Sequence, residues 1–411
     1  MNDYIEEEHK MGDPLRSEDK IRGEGGIVAV LVALMMVMLL GFVPIVVDLG
    51  YSFVVANEVQ NIADASALAG ARQLGAIYSS LSGPDQATYV CNDTSPIKVA
   101  AKDVASKNHA GGKENILVHD SDIIIGHWDG SSFTPSLSQP DAVKVIARRD
   151  ETANGPIKTF FAKLMGTDSL DVSKDAIAAL TGQGNSEPEE IEIPIGISSY
   201  FFEPGNFCND YIKFSPTNDP DACAGWNSFD ESPSNDQTIR AILDGEIEAP
   251  ATTTNPTDTD RVSAFNFVGG DLSTQTFDKL LTRFQRDGYD VDSAGNNIND
   301  ANGEPLHDAT GTQLEVPLLD AEGNQLLYPD GTPRNKHIWE TTLVVYRWYD
   351  CSNPNTTIEI GGYSRVLITD VLGPPDKLVV GKVLCDRFSD GDTRGGGEDY
   401  GIKGTIPSLV E

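Results

Sequence analysis

Basic residues are scarce in this chain. Lys and Arg number 30 against 63 Asp and Glu, which leaves a formal charge of −33 over 411 residues. So acidic a surface repels phosphate backbones, and nucleic acid is excluded as a partner. A polybasic grip on anionic lipid is excluded as well. Histidine is scarcer still: His9, His109, His119, His127, His307 and His337 form no i, i+4 pair and no His-x-His. The sequence has no His-Glu-x-x-His, no Gly-x-Ser-x-Gly elbow and no Walker loop. Carboxylates are so many that no pair stands out as acid and base. The expectation is a protein that is not an enzyme and uses no cofactor.

Cysteine is sparse and odd in number: Cys91, Cys208, Cys223, Cys351 and Cys385. None stands in a Cys-x-x-Cys pair, so zinc and thioredoxin-like readings lack support. Cys208 and Cys223 share one loop-like stretch, and Cys351 and Cys385 flank two expected strands. Pairing them that way leaves Cys91 over, although four cysteines still allow three connectivities.

One feature is abundant where the rest is not. Residues 27–47 carry no charge and are almost wholly Val, Leu, Met, Ala and Ile. A helix crossing the hydrocarbon core needs roughly 20 such residues. Signal-peptide apolar regions are shorter and end in a small-residue cleavage site, whereas this run ends in Val47-Asp48-Leu49-Gly50. Lys10, Arg16, Lys20 and Arg22 precede it, and the first basic residue after it is Arg72. By the positive-inside rule the N-terminus is cytoplasmic and everything beyond Asp48 is exported. All five cysteines then lie where disulfides persist.

Beyond the span, the rarity of Gly and absence of Pro to about Tyr78 predict that the helix continues. Ala63, Ala67 and Ala71 fall four apart, as do Ser66 and Gly70. Small residues at that spacing let another helix approach closely, or pack the helix on its own domain.

Residues 97–182 then read as α+β. A helix is expected over 97–107 and strands over 115–118, 123–128, 142–147 and 172–180. Gly155-Pro156 opens a short helix with Ile157, Phe160, Phe161 and Leu164 on one face, closed by Gly166. The turn-rich, acidic stretch 182–190 suggests a domain boundary.

The second half reads as mainly β. A strand is expected over 191–202, followed by a Cys-, Asn- and Pro-rich loop. Helices follow over 236–243, capped by Asn235, and over 274–287, ending at Gly288. Strands are expected over 341–349, 365–371 and 378–384. Residues 248–260 read as loose, and 387–404 as a surface loop. The fold class is therefore α+β: a 1–26 tail, a 27–47 span, a 48–182 helix-plus-α+β domain, and a cysteine-bearing, mainly β domain over 183–411.

Two stretches resemble metal sites. Asp290-Val-Asp292-Ser-Ala-Gly295 starts like a calcium loop, but Ala294 and Ala301 stand where ligands are needed, and a hairpin turn fits better. Gly295, Gly303, Gly311, Gly323 and Gly331 continue it as successive turns. Asp230-Glu-Ser232-Pro-Ser234 has an adhesion-type metal pattern, yet no apolar strand feeds it and Asn235 marks a turn into a helix. Asp290 and Asp292 are kept as weak calcium candidates, and no metal is otherwise expected.

Several segments together resemble the TadE/TadG-like proteins of the Tad (Flp) pilus machinery. They are Arg22-Gly-Glu-Gly-Gly26, the apolar run, Asp48-Leu-Gly50, and Gln60-Asn-Ile-Ala-Asp64-Ala-Ser-Ala-Leu-Ala-Gly70-Ala71. Ile125-Gly-His-Trp128-Asp, the 142–147 strand, Phe160-Phe-Ala-Lys-Leu-Met-Gly166 and the 172–180 strand are similar to the exported region of such proteins. The resemblance implies a non-enzymatic pilus-assembly component in a bacterial inner membrane, its bulk periplasmic or extracellular. Its partners would be the bilayer, through residues 27–47, and other Tad pilus or pseudopilin subunits. Cutting after Gly26 would place Leu31, not Glu, at the fifth mature position, which favours an uncut anchor. The alternative is a membrane-tethered binding or adhesion module using calcium at the 290–330 turns.

Overall fold

The computed structural model describes residues 18–203, 205, 207–214, 222–270, 272–290, 337–389 and 391–410. The glycine-punctuated turns after Asp290, and with them Asp292, lie outside these. Contacts divide the chain into two compact units. Among the described residues the first holds 18–61 with 106–117 and 147–174, and the second holds the others.

Helix α1 (Glu18–Ser79) is one continuous element of 62 residues. Its apolar stretch is exposed along its length, from Ile27 and Val37 to Val46, and is long and apolar enough to cross a membrane. Its later part is buried on one face, at Val55 and Val59 in the first unit and at Ile62, Ala63, Ala67, Ala71 and Leu74 in the second. Thus the apolar run and the Ala-rich helix are continuous, as the sequence predicts.

In the first unit, α1 is accompanied by two small hairpins. His109–Ala110 pairs with Lys113–Glu114, and Ile157–Lys158 pairs with Ser169–Leu170. The expected strand over 115–118 is absent, because Asn115 takes a left-handed conformation that ends the pairing. The expected 155–166 helix is absent too. Only the short turn Ala162–Met165 is helical, closed by Gly166 at φ 88°. Hairpin pairing at Ile157 and Lys158 takes the backbone groups a helix would have used.

The second unit opens on α1 and on α2 (Ser95–Ser106), whose inner face is Ile97, Ala101 and Ala105. A five-stranded sheet follows, from β1 (Ile123–Trp128), β2 (Phe133–Pro135), β3 (Ala142–Arg149) and β4 (Val172–Ala179). Its order is Ser408–Leu409, β4, β3, β1, β2, so the C-terminus returns to the sheet edge.

The larger sheet contains β5 (Ile195–Ser198), β6 (Tyr211–Phe214), β7 (Ala224–Asn227) and β8 (Ala264–Val268). It continues with β9 (Tyr289–Asp290), β10 (His337–Tyr346), β11 (Thr357–Leu372) and β12 (Leu378–Leu384). Its order is β6-β12-β11-β8-β7-β5-β10-β9, and β10 also pairs with β11. That last pairing closes β5, β7, β8, β11 and β10 into a ring, which removes their free edges. The two remaining edges, β6 and β9, are short.

Residues 341–346 of β10 are all buried, and their alternation serves two cores. Trp339, Leu343 and Val345 join one cluster with Val366, Ile368, Phe277 and Phe284. Val344 and Tyr346 join another with Phe265, Phe267, Ile360 and Tyr363. Helices α3 (Asp236–Leu243) and α4 (Thr274–Asp287) cover the first cluster with Ile239, Leu243, Phe277, Leu280 and Phe284. The Asn235 cap is as expected and accepts from the Thr238 N–H at 3.0 Å; Ser273, not singled out in the sequence, caps α4 by accepting from the Thr276 N–H at 3.3 Å.

Several expectations in this half need correction. The strand over 191–202 is only β5, since Ser199–Phe202 turns into a 3₁₀ helix behind the Ser198 cap. The stretch 387–404 is not a loose surface loop. Arg387–Phe388 pairs with Ile402–Lys403, and Ser389, Thr393, Tyr400 and Ile402 are buried.

The disulfides use the four expected cysteines in a different pairing: Cys208–Cys385 and Cys223–Cys351. The topology explains the correction. Strand β6 pairs with β12, which sets Cys208, just before one, beside Cys385, just after the other. Strand β5 lies between β7 and β10, which brings Cys223, just before β7, to Cys351, beyond the end of β10. Cys91 is free and buried.

Candidate functional site

The small-residue face of α1 is where sequence pattern and structure meet most directly. Ala63, Ser66, Ala67 and Ala71 have no exposed surface. At Gly70 an added Cβ would come within 3.0 Å of Val143 and 3.6 Å of Ala101 and Ile97. The stripe thus receives α2 and β3 of its own unit. One turn further on, a Cβ at Gly75 would meet the Thr405 carbonyl oxygen at 2.1 Å. Arg72 donates to that same carbonyl at 3.2 Å and pairs with Asp392. At Gly70 this face packs on its own unit.

Asp48, the first residue beyond the apolar run, was read only as part of a motif. In the first unit its carboxylate is buried and accepts three backbone N–H groups. They come from Phe160 at 2.7 Å, Phe161 at 3.0 Å and Ala162 at 2.5 Å. Two of them, from Phe161 and Ala162, open the 3₁₀ turn and have no partner within it. Tyr51, one turn along α1, meets Phe160 edge-on at 5.2 Å between ring centres. Further along, Glu58 accepts from the Gly111 N–H at 2.7 Å.

A second charged centre, in the second unit, carried no signal in the sequence. Asp141 is 1 % exposed and accepts from the Trp128 N–H at 2.7 Å, from Lys403 at 2.6 Å and from His127 at 2.8 Å. Burial alone would depress the Lys403 ammonium, but Asp141 and Asp399 hold it above the usual lysine range. A cavity of about 540 Å³ adjoins it, lined by Tyr78, Gln86, His127, Gln139, Asp141 and Lys403 among others. Tyr78 stacks on Phe388 at 3.7 Å, and burial, then Asp141, push its phenol well up. Since Asp141 and Lys403 are 262 residues apart, only the fold could reveal the pair. Both oxygens of Asp141 are taken by protein donors, so the arrangement is that of a buried tie.

The remaining candidates are quickly placed. Asp290 ends β9, backbone-paired with His337. Among the described residues no group of three or more His, Cys, Asp or Glu could hold a metal ion. Asp230 to Ser234 forms the turn into α3, with the Ser228 hydroxyl donating to Ser234 at 2.9 Å.

Comparison with known families bears directly on α1 and its supports. Residues 25–73 match the Flp pilus-assembly TadE/G-like family, and residues 69–178 match the Tad-like Flp pilus-assembly family. Residues 25–178 are Tad-like. The Tad-like segment contains Asp48, the small-residue face, His127, Asp141 and the 160–166 turn. Comparisons with curated proteins and with solved structures find no match.

Proposed function

We propose that this chain is a non-enzymatic, membrane-anchored component of a Tad/Flp-type pilus assembly or secretion system. Residues 27–47 span the inner membrane, the N-terminus is cytoplasmic and everything beyond Asp48 is exported. One observation carries the reading: the two Tad matches cover residues 25–178 as a continuation of a single apolar helix. The lysines and arginines ahead of the apolar run, and two disulfides well beyond it, support the orientation.

Contact with pilus or pseudopilin subunits falls on the lipid-embedded part of α1 and on exported surfaces, because the Ala63–Ala71 stripe is filled from within. Deletion of the gene is the test. Loss of assembled pili and of surface attachment, restored by the gene in trans, is expected. Normal piliation without it would overturn the proposal.

A further inference from the structure

The turn that Asp48 clamps presents an apolar surface of its own. Phe160 is 52 % exposed, Phe161 40 % and Leu164 82 %, the last being the most exposed large apolar side chain among the described residues. Three such side chains within five residues form a cluster, and clustered exposed apolar groups mark a partner or a membrane. Phe53 and Val54, a turn and a half beyond Asp48 on α1, are exposed as well. The charge also departs from that of the whole. Residues 157–167 hold Lys158 and Lys163 and no acid, in a chain of formal charge −33.

We infer that the 160–166 turn is a second membrane contact, seated in the outer leaflet of the bilayer that α1 crosses. The inference rests on the anchor reading above. Its level is set by Asp48: the carboxylate one residue past the apolar run holds three backbone N–H groups of the turn. A turn held there stands at the boundary between acyl chains and headgroups. Its phenylalanines and Leu164 insert shallowly, and Lys158 and Lys163 face anionic headgroups, the distribution of an interfacial anchor. The conformation is set beforehand. The hairpin Ile157–Leu170 closes its base, the Thr159 hydroxyl donates to the Thr167 carbonyl at 2.6 Å, and Gly166 ends it in a left-handed cap. Together with α1, this second contact would fix the exported chain's tilt and rotation at the membrane surface.

Spin labelling of the full chain in vesicles of phosphatidylethanolamine and phosphatidylglycerol tests this. In a Cys91→Ser background, nitroxides would be placed by Leu164→Cys, by Val37→Cys within the span, and by Thr259→Cys on an exposed loop. The expected result is a ratio of oxygen to nickel-chelate collision rates at 164 several-fold above that at 259 and below that at 37. Asp48→Ala should bring the ratio at 164 down toward the value at 259. A ratio at 164 equal to that at 259, with 37 still deep, would overturn the inference and leave the anchor standing. Water-like values at 37 would overturn the anchor reading and the inference with it. Spin–spin broadening at 164 without raised oxygen access would assign the patch to a second copy of the chain and also overturn the inference.

Discussion

Gly75 and Gly70 lie on the same helix and differ in what stands opposite. Alanine favours a helix interior over glycine by about 1 kcal/mol. At Gly70 the nearest obstacle to a methyl group is a Val143 side-chain atom at 3.0 Å, which can move slightly. At Gly75 it is the Thr405 backbone carbonyl at 2.1 Å, already engaged by Arg72. Gly75→Ala is therefore expected to destabilise by roughly 1–3 kcal/mol despite its propensity gain, as overpacking does. Gly70→Ala should stay near neutral. Thermal unfolding of the detergent-solubilised chain checks both, and equal effects would contradict the packing described. Asp141 poses a sharper case. Asp141→Ala leaves Lys403, whose side chain is 14 % exposed, without its closest carboxylate, the next being Asp399 at 3.7 Å. Removing one member of a buried pair costs on the order of 3–5 kcal/mol, and urea unfolding would read it. A loss below 1 kcal/mol would mean that Asp141 is not the tie inferred.

At the scale of elements, α3 and α4 are joined through Asp236. Its carboxylate accepts from the Thr276 hydroxyl at 2.6 Å and the Ser273 N–H at 2.9 Å, and pairs with Arg240. Burial alone would raise this carboxyl, but those donors hold it below the usual aspartate range. A folded-state value below the unfolded one means the contribution is complete above the unfolded pKa and is lost as pH falls through the folded value. Stability should drop from about pH 5 to about pH 3 more in the native chain than in Asp236→Asn. Parallel curves would show that the carboxylate contributes nothing. Both helices were legible in the sequence, the first from its cap at Asn235 and the second from its apolar period and its stop at Gly288. The cysteine pairing was not, because it follows from β6 choosing β12 and from β5 entering between β7 and β10, pairings between distant segments. The same limit hid Asp141–Lys403 and the strand at Arg387–Phe388. It also turned residues 155–166 into an expected helix: the apolar spacing is there, but Asp48 and the 157–170 hairpin claim the backbone. Peptide mapping without reduction should recover Cys208–Cys385 and Cys223–Cys351. Replacing both Cys223 and Cys351 by Ser should cost about 2–5 kcal/mol, since the bridge spans 128 residues.

For the whole molecule the decisive quantity is which end stays inside. Lys10, Arg16, Lys20 and Arg22 stand on one side of the span, and the other side has no basic residue before Arg72. Acidic residues in the tail count little toward orientation, so its many glutamates do not cancel this bias. The continuous α1 makes the choice consequential, because the helix that carries the apolar run also meets β3 and α2 at Gly70. Were the orientation reversed, both disulfides would sit in a reducing compartment. A C-terminal alkaline phosphatase fusion is therefore expected to be active, and an N-terminal one inactive. Changing Lys10, Arg16, Lys20 and Arg22 together to Gln, with basic residues introduced just after Asp48, should lower the first signal and raise the second. A chain cut after Gly26 would lose all four of those residues and would no longer carry an N-terminal fusion. Recovery of the fusion at full length on the membrane would thus report topology and retention of the uncut anchor together, while a shortened C-terminal fragment would show processing.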